Sequence, residues 1–460
     1  MRLESHVKSL SFLLLGASVA GAQAKGPELP PIRQLGAVTA TAKEKLGPVS
    51  NIRPLSDGRV LVNDQFSRRV MLFDSKLENF TVVADSTSAT ANAYGGRFAG
   101  LVAYKGDSTL FVDPQSLSML VLDPAGKVSR VMSVPSSQDA MSFAGVLGVA
   151  VVDPQGRLVY RSSPRPDMRA FGGPGAAGGA PRVPEIPDSA GIFRIDLATR
   201  KVDTLAFIKT QKVKMNVTTA DNGRVMMTSE INPLPVVDEW AALPDGSVAI
   251  VRGRDYHIDW INADGSRASA PKIPFEWQRL TDEDKVAFID SVKAARERMG
   301  ANAPVPVTPG GGGTPPAGAN AAGGPPPANP PMEGMRVMVF GGPPGSDGAP
   351  RRDGAGPAGG FNMTAPAPTF VAPSELPDYK PVFLNGFVRA DTEGNVWVRT
   401  IPTKAIAGGP VYDVINRKGE LVERVQIPVG RTIAGFGAGG VVYLTTRDGM
   451  TTKLEKATVK

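Results

Sequence analysis

The stretch PLSDGRVLVND (Pro54–Asp64) places a turn ahead of a strand of alternating apolar residues. Similar stretches recur along the chain, and in each of them a glycine turn again precedes a strand. They are VDPQGRLVYRS from Val152, ALPDGSVAIVR from Ala242 and ADTEGNVWVRT from Ala390. Recurrence of this kind indicates a repeat protein built from β-hairpins.

The spacing of the turn glycines predicts the size of the repeating unit. These glycines are Gly58, Gly106, Gly156, Gly246, Gly394 and Gly440. Three of the five intervals are 46–50 residues long, close to the roughly 40–50 residues of one propeller blade. A second turn follows the first in each unit, which makes four strands per unit. Six turn glycines therefore predict an all-β, six-bladed β-propeller.

Two longer intervals contain insertions. The first holds a Pro/Gly-rich loop at residues 162–191 and a further hairpin with its turn at Asn222-Gly223. The second holds residues 280–368, which begin with a predicted helix, Leu280–Met299, with Thr281 as its N-cap and an apolar stripe formed by Val286, Ile289, Val292 and Met299. The rest is rich in Gly, Pro and Ala, so we expect a long disordered insertion, interrupted by MRVMVF at residues 335–340.

The two ends of the chain are expected to meet in one blade. The last unit has sequence for three strands only, and IRQLGAVTATA (Ile32–Ala42) is suited to supply the fourth. Closure of the ring by this N-terminal strand removes two free sheet edges.

Residues 1–24 have the features of a signal peptide, with Arg2 and Lys8 before a short apolar run and Ala22-Gln23-Ala24 as the cleavage site. No later run of about 20 apolar residues could span a bilayer. We therefore expect residues 25–460 to form a single propeller domain that acts as an exported monomer, periplasmic or extracellular, with no transmembrane segment.

Composition excludes several functional classes. The chain has 0 cysteines, so disulfides, thiolate catalysis and zinc–thiolate sites are excluded. His257 is the only histidine after the signal segment, which excludes a multi-histidine metal site. The net charge of +7 is not concentrated in a basic segment and aromatic residues make up only 6% of the chain, so no nucleic-acid partner is expected.

These repeats resemble those of secreted bacterial six-bladed β-propeller proteins of the NHL-repeat and gluconolactonase-like superfamily. The segments that carry the resemblance are PLSDGRVLVND, VDEWAALPDGSVAIVRGRDYHIDW, GNVWVRT and GGPVYDVINRKGELVERVQIP. The resemblance covers about Ile32 to Val459 without the insertions. It implies a fold shared by interaction platforms and by calcium-dependent lactonases and lyases, whose metal is held by carboxylates and amides at the central channel.

Alignment of the first hairpins yields a set of candidate ligand-binding residues. Five to seven positions after each turn glycine stand Asp64, Asp113, Arg161, Arg252, Arg399 and Arg447. Equivalent strand ends of a propeller lie on one face, so these side chains could form a ring for a small anionic ligand. The alternative is that they terminate strands and form salt bridges between blades.

His257 is a further candidate. In DYHIDW, alternation places Asp255, His257 and Asp259 on one face of a strand and the apolar side chains on the other. A histidine between two carboxylates could act as a general base, although the same pattern fits a polar strand face.

The functional expectation is a non-catalytic binding or scaffold propeller that recognises an unknown protein or small anionic ligand at one face of the ring. It needs no cofactor and no metal. The alternative is a calcium-dependent, lactonase-like hydrolase or lyase that uses the central channel. The oxygen ligands available to calcium are Asn51, Asn63, Asp64, Asp113, Asp238 and Glu239.

Overall fold

The structure of the protein is a computed structural model that describes residues 29–86, 98–145, 147–164, 186–219, 225–299, 369–404, 406–449 and 451–459. The predicted signal peptide, residues 165–185 of the predicted loop and residues 300–368 of the predicted insertion, with MRVMVF, lie outside these described residues. So does the predicted Asn222-Gly223 turn.

Most of the described strands belong to units of four antiparallel strands, paired in chain order. Two short strands come first, β1 (Ile32–Gln34) and β2 (Val38–Thr41). Unit 1 consists of β3 (Val49–Pro54), β4 (Val60–Asp64), β5 (Arg69–Phe73) and β6 (Phe80–Asp85). Unit 2 consists of β7 (Gly100–Ala103), β8 (Thr109–Asp113), β9 (Ser118–Leu122) and β10 (Val128–Ser133).

A short helix, α1 (Ala140–Phe143), leads to the next unit. Unit 3 consists of β11 (Val151–Val152), β12 (Arg157–Arg161), β13 (Ser189–Asp196) and β14 (Val202–Lys209). The hairpin of β15 (Lys214–Thr219) and β16 (Val225–Ile231) separates it from the following unit. Unit 4 consists of β17 (Glu239–Ala242), β18 (Val248–Arg252), β19 (His257–Ile261) and β20 (Arg267–Ser269).

The predicted helix is present as α2 (Asp282–Met299), followed by β21 (Thr369–Phe370), which pairs parallel to β16. Unit 5 consists of β22 (Val388–Ala390), β23 (Val396–Arg399), β24 (Val411–Ile415) and β25 (Leu421–Gln426). Unit 6 consists of β26 (Arg431–Gly437), β27 (Val441–Asp448) and β28 (Thr451–Thr458), together with β2.

The N-terminal segment joins two units. Strand β2 pairs antiparallel to β28, so residues near the start of the described chain supply the fourth strand of unit 6. Strand β1 instead pairs parallel to β25 and adds a fifth strand to unit 5, which the sequence did not predict.

The turn glycines behave as predicted. All six have positive φ values between 60° and 89°, a conformation that costs glycine little and other residues much more. Each of these turns joins the first two strands of its unit.

Successive units pack face against face. Each of the six large apolar clusters in the described chain combines side chains from two consecutive units. The cluster with Val60 of unit 1 also contains Tyr443 and Leu454 of unit 6, so the first and last units share a core. Small antiparallel sheets stacked in this way bury both faces, as in a β-propeller. This confirms the predicted all-β propeller class.

Helix α2 packs beside the units rather than within them. Asp284 N donates to the Thr281 hydroxyl, which confirms Thr281 as the N-cap. Ile289 is buried against Val371 and Leu376 near β21, and Val292 is also buried. Val286 is 46% exposed, so the predicted stripe is narrower, because among the described residues the buried face of the helix runs through Ile289 and Val292. No helix among the described residues is long and apolar enough to cross a bilayer.

Candidate ligand-binding site

The second strand of each unit ends beside the start of the first strand, and this edge defines the strand-end face. Asp64, Asp113, Arg161, Arg252 and Arg399 are the last residues of their strands, while Arg447 is the next to last of β27. The alignment of strand ends made from the sequence therefore matches the structure. Their role as one ligand-binding ring stays a prediction, because their immediate partners differ.

Asp64 is fully buried and holds its own turn together. One carboxylate oxygen accepts a hydrogen bond from Gly47 N at 3.0 Å and the other accepts one from Ser67 N at 3.0 Å. Asp113 does the same in unit 2, where it accepts from Gln115 N at 3.1 Å and from the Ser116 hydroxyl at 2.8 Å. These two carboxylates are engaged in turn formation.

Arg161 lies across a unit boundary. Its Nη1 is 3.8 Å from Glu239 Oε1 in unit 4, and the same oxygen accepts a hydrogen bond from Gly386 N of the segment before β22 at 3.0 Å. Burial raises the pKa of Glu239 and lowers the pKa of Arg161 because both charges lie in a poorly solvated place. Units 3, 4 and 5 are thus linked by one polar contact set.

Arg399 and Arg447 have local partners. The Arg399 guanidinium lies over the Phe387 ring, 4.5 Å from its centre. Arg447 Nε donates to the Gly449 carbonyl at 2.9 Å. Neither side chain lines the cleft described next.

The strand-end face contains a cleft of about 530 Å³ beside unit 4. Two of the predicted residues, Arg252 and His257, lie in it together. The cleft is lined by Lys209, Val236, Asp238, Arg252, Arg254, Asp255, His257 and Asp259.

Arg252 is fixed between two carboxylates. Its Nη1 donates to Asp238 Oδ2 at 2.8 Å and its Nε donates to Asp259 Oδ2 at 2.7 Å. Burial disfavours the charged guanidinium, but the two hydrogen-bonded carboxylates outweigh it, and the pKa of Arg252 is raised. Asp238 also accepts from Gly253 N at 3.2 Å. Arg252 is therefore a cross-link of the cleft wall.

His257 lies between two carboxylates, as the alternation predicted. Its Nδ1 is 2.8 Å from Asp255 Oδ1 and its Nε2 is 3.3 Å from Asp259 Oδ1. On the other side, Tyr256, Ile258 and Trp260 are buried in the core shared by units 4 and 5, which agrees with the predicted alternation. Ser269 donates to Asp259 at 2.7 Å and Lys272 Nζ lies 3.7 Å from Asp255 Oδ2, so each histidine partner has a further contact.

The turn between β18 and β19 is fixed by close packing and by a buried hydrogen bond. A Cβ atom on Gly253 would lie 1.9 Å from the Val237 carbonyl oxygen, so only glycine fits. Tyr256 has a φ of 51°, which is uncommon for a large side chain. Its hydroxyl donates to Asp413 of unit 5 at 2.9 Å. Burial raises the pKa of Asp413 to about 6.

Sequence reasoning missed three residues of the cleft: Lys209, Val236 and Arg254. Lys209 ends the outer strand of unit 3, and spacing within one unit does not show which outer strand lies beside the next unit. Arg254 could have been identified from the sequence, because it is a cation between Gly253 and Asp255 in the turn of a regular hairpin.

The oxygen ligands proposed for calcium have partners within the protein. Asn51 Nδ2 donates to the Leu101 carbonyl at 2.7 Å, and Asn63 Nδ2 donates to the Ala99 carbonyl at 2.6 Å. The carboxylates of the set hold turns or face arginines, as described above. In the part of the chain that the structure describes, no group of three or more His, Cys, Asp or Glu side chains is placed to hold a metal ion.

No family model and no curated protein matches the chain. Among solved structures, it is similar to a protein provisionally named a gluconolactonase, with 12% identity, 95% of this chain and 94% of that chain covered, and a TM-score of 0.35. It is also similar to regucalcin, a calcium-binding protein from Agrobacterium tumefaciens, with 11% identity, coverage of 94% and 97%, and a TM-score of 0.35. A third is the PQQ-bound aldose sugar dehydrogenase from Streptomyces coelicolor, with 11% identity, coverage of 94% and 100%, and a TM-score of 0.31. The fold assignment rests on the strand order and packing described above.

Proposed function

We propose that the chain is an exported, non-catalytic binding protein in which six blades form a ring closed by β2. The ring is supported by the core clusters, which link every unit to the next and unit 6 to unit 1. The pairing of β2 with β28 supports the closure. Export is inferred from the signal-like residues 1–24.

One observation carries the binding function: the cleft at the strand-end face is concave, charged and already cross-linked. Arg252 bridges Asp238 and Asp259 along the wall of the cleft. A wall that needs no reordering loses less conformational entropy on binding. The volume of about 530 Å³ suits a small molecule.

The same contacts favour binding over catalysis. A general base must be able to take a proton from a substrate, and a metal site needs several free oxygen ligands. Asp238 and Asp259 instead accept hydrogen bonds from Arg252, and Asp255 contacts His257. The carboxylates of the cleft therefore serve to hold its shape.

The thermal midpoint of the full chain after EDTA treatment, with and without millimolar calcium, tests this function. A protein without a calcium-dependent site keeps its midpoint, because only selective binding to the folded state raises it. The same sample is incubated with a p-nitrophenyl ester and with a simple lactone. A raised midpoint together with calcium-dependent hydrolysis would replace the binding function by the lactonase-like one.

A further inference from the structure

We propose that the cleft binds its ligand through a carboxylate group held by Arg254 and Lys209. This inference rests on the proposed function and names the chemical class of the ligand. Both residues line the cleft and are exposed. Within the described residues neither cationic group has an ion-pair partner, whereas Arg252 has two.

The charge balance of the cleft favours an anion. Its three carboxylates, Asp238, Asp255 and Asp259, already contact Arg252 or His257. A cationic ligand would have to share these carboxylates with Arg252 or His257. An anionic ligand would instead pair with Arg254 and Lys209, to which the described residues supply no ion-pair partner.

A carboxylate fits this balance better than a phosphate. Arg254 presents a planar fork that matches the two oxygens of a carboxylate. A phosphate dianion would bring a second negative charge close to three carboxylates, and like charges at short range repel. A carboxylate group places only one negative charge beside these oxygens, and in a dicarboxylate such as succinate the second charge lies on a separate group at the other end of the molecule.

The backbone fixes the position of Arg254. Gly253 before it packs directly against the Val237 carbonyl and donates its N–H to Asp238. Tyr256 after it is fully buried, and its N–H donates to the Arg252 carbonyl at 3.1 Å. Arg254 therefore lies in a turn that is anchored on both sides, while its own side chain stays exposed.

Titration calorimetry of the full chain at low salt tests the proposal, with succinate, inorganic phosphate, tetramethylammonium and glycerol as probes. Succinate should bind most tightly. Arg254→Ala should weaken succinate binding by about tenfold or more, and Lys209→Ala by about threefold. Arg254→Lys keeps the charge but loses the fork, so its effect should lie between wild type and Arg254→Ala.

Lys418→Ala is the matched control, because Lys418 is an exposed cation in the β24–β25 turn, on the other edge of the sheet. It should leave succinate affinity within about twofold of wild type, and all variants should keep the wild-type melting midpoint. Equal losses in Lys418→Ala and Arg254→Ala would overturn the proposal, since net charge alone would then account for binding. Tighter phosphate binding would overturn the carboxylate class.

The two failures are distinguishable. If no anion binds but glycerol or tetramethylammonium does so in an Arg252-dependent way, the carboxylate inference is wrong and the binding function survives. If calcium raises the midpoint and hydrolysis appears, the binding function itself is wrong.

Discussion

The strand-end turns of unit 1 and unit 4 have the same backbone and opposite charge arrangements. In both, the fourth residue after the strand end is a non-glycine with positive φ, 52° at Arg68 and 51° at Tyr256. The strand ends in an aspartate in unit 1, Asp64, and in an arginine in unit 4, Arg252.

The difference lies in what holds the turn. Asp64 accepts backbone hydrogen bonds from its own turn and from Gly47, so unit 1 is closed by one buried carboxylate. In unit 4 the carboxylate comes from Asp238, the residue before β17, and Arg252 donates a hydrogen bond to it. In unit 1 the charge of Asp64 is therefore used within its own turn. In unit 4 the paired charges form the wall of a cleft, and Arg254 stays exposed.

The largest effect is expected at the tightest point of the unit 4 turn. Gly253→Ala should lower the free energy of unfolding by more than about 3 kcal/mol, because its Cβ would collide with the Val237 carbonyl and the strands must separate. Gln65→Ala, at the equivalent place in unit 1, should cost about 0.5 kcal/mol or less. Chemical denaturation of both variants gives the comparison, and equal costs would show that the two turns are held alike.

The buried anchor of the unit 4 turn should make stability depend on pH. Burial raises the pKa of Asp413 from 3.8 to about 6, so the folded chain holds this proton more tightly than the unfolded chain. The contribution of the protonated Asp413 carboxyl to the free energy of unfolding is fully present below about pH 4. It is lost as the pH rises through about 6, by up to about 3 kcal/mol.

Asp413→Asn lacks this titration. Relative to the variant, the wild type should therefore lose stability between pH 4 and pH 7, as followed by denaturant unfolding at each pH. Tyr256→Phe is the control. This variant keeps the Asp413 carboxyl but removes a hydrogen bond that lowers the pKa of that carboxyl. Its free energy of unfolding should therefore fall with pH at least as steeply as that of the wild type. A difference between wild type and Asp413→Asn that does not change with pH would contradict this account.

The two strand-end residues should differ in their cost of removal. Asp64 is fully buried, and Asp64→Ala leaves the N–H groups of Gly47 and Ser67 without their acceptor, which should cost about 2 kcal/mol. The Arg252 side chain is 29% exposed, so Arg252→Met should cost about 1 kcal/mol. Thermal unfolding should rank them in this order, and a larger loss for Arg252→Met would mean that unit 4 depends on its ion pairs for folding.

The smallest effect is expected at the tip of the unit 1 turn. Phe66 is 63% exposed, so Phe66→Ser should change the unfolding free energy by less than about 0.5 kcal/mol and leave ligand affinity unchanged. Phe73→Ser, in the core of the same unit, provides the contrast because Phe73 is 1% exposed. Loss of succinate affinity in Phe66→Ser would place the ligand over unit 1 instead.

Local patterns sufficed to predict the repeat. Glycine turns such as Gly58 and Gly246 require positive φ, and alternation along DYHIDW correctly separated His257 from the buried Tyr256, because both properties depend on neighbours in sequence.

The site could be predicted only in part, because its contacts join separate units. Lys209 and Asp238 meet across the boundary of units 3 and 4, and Tyr256 meets Asp413 of unit 5. No spacing in the chain specifies which charges face each other there. For the same reason, sequence alignment grouped Asp64 with Arg252, although one stabilises a turn and the other lines a cleft.

Hydrogen-exchange mass spectrometry of the full chain, with and without saturating succinate, tests the central claim most directly. Succinate should slow exchange in the segment 252–259 of unit 4 and leave exchange unchanged in the equivalent segment 64–71 of unit 1. Equal protection of both segments, or protection of the unit 1 segment alone, would contradict the claim that the cleft beside unit 4 is the binding site.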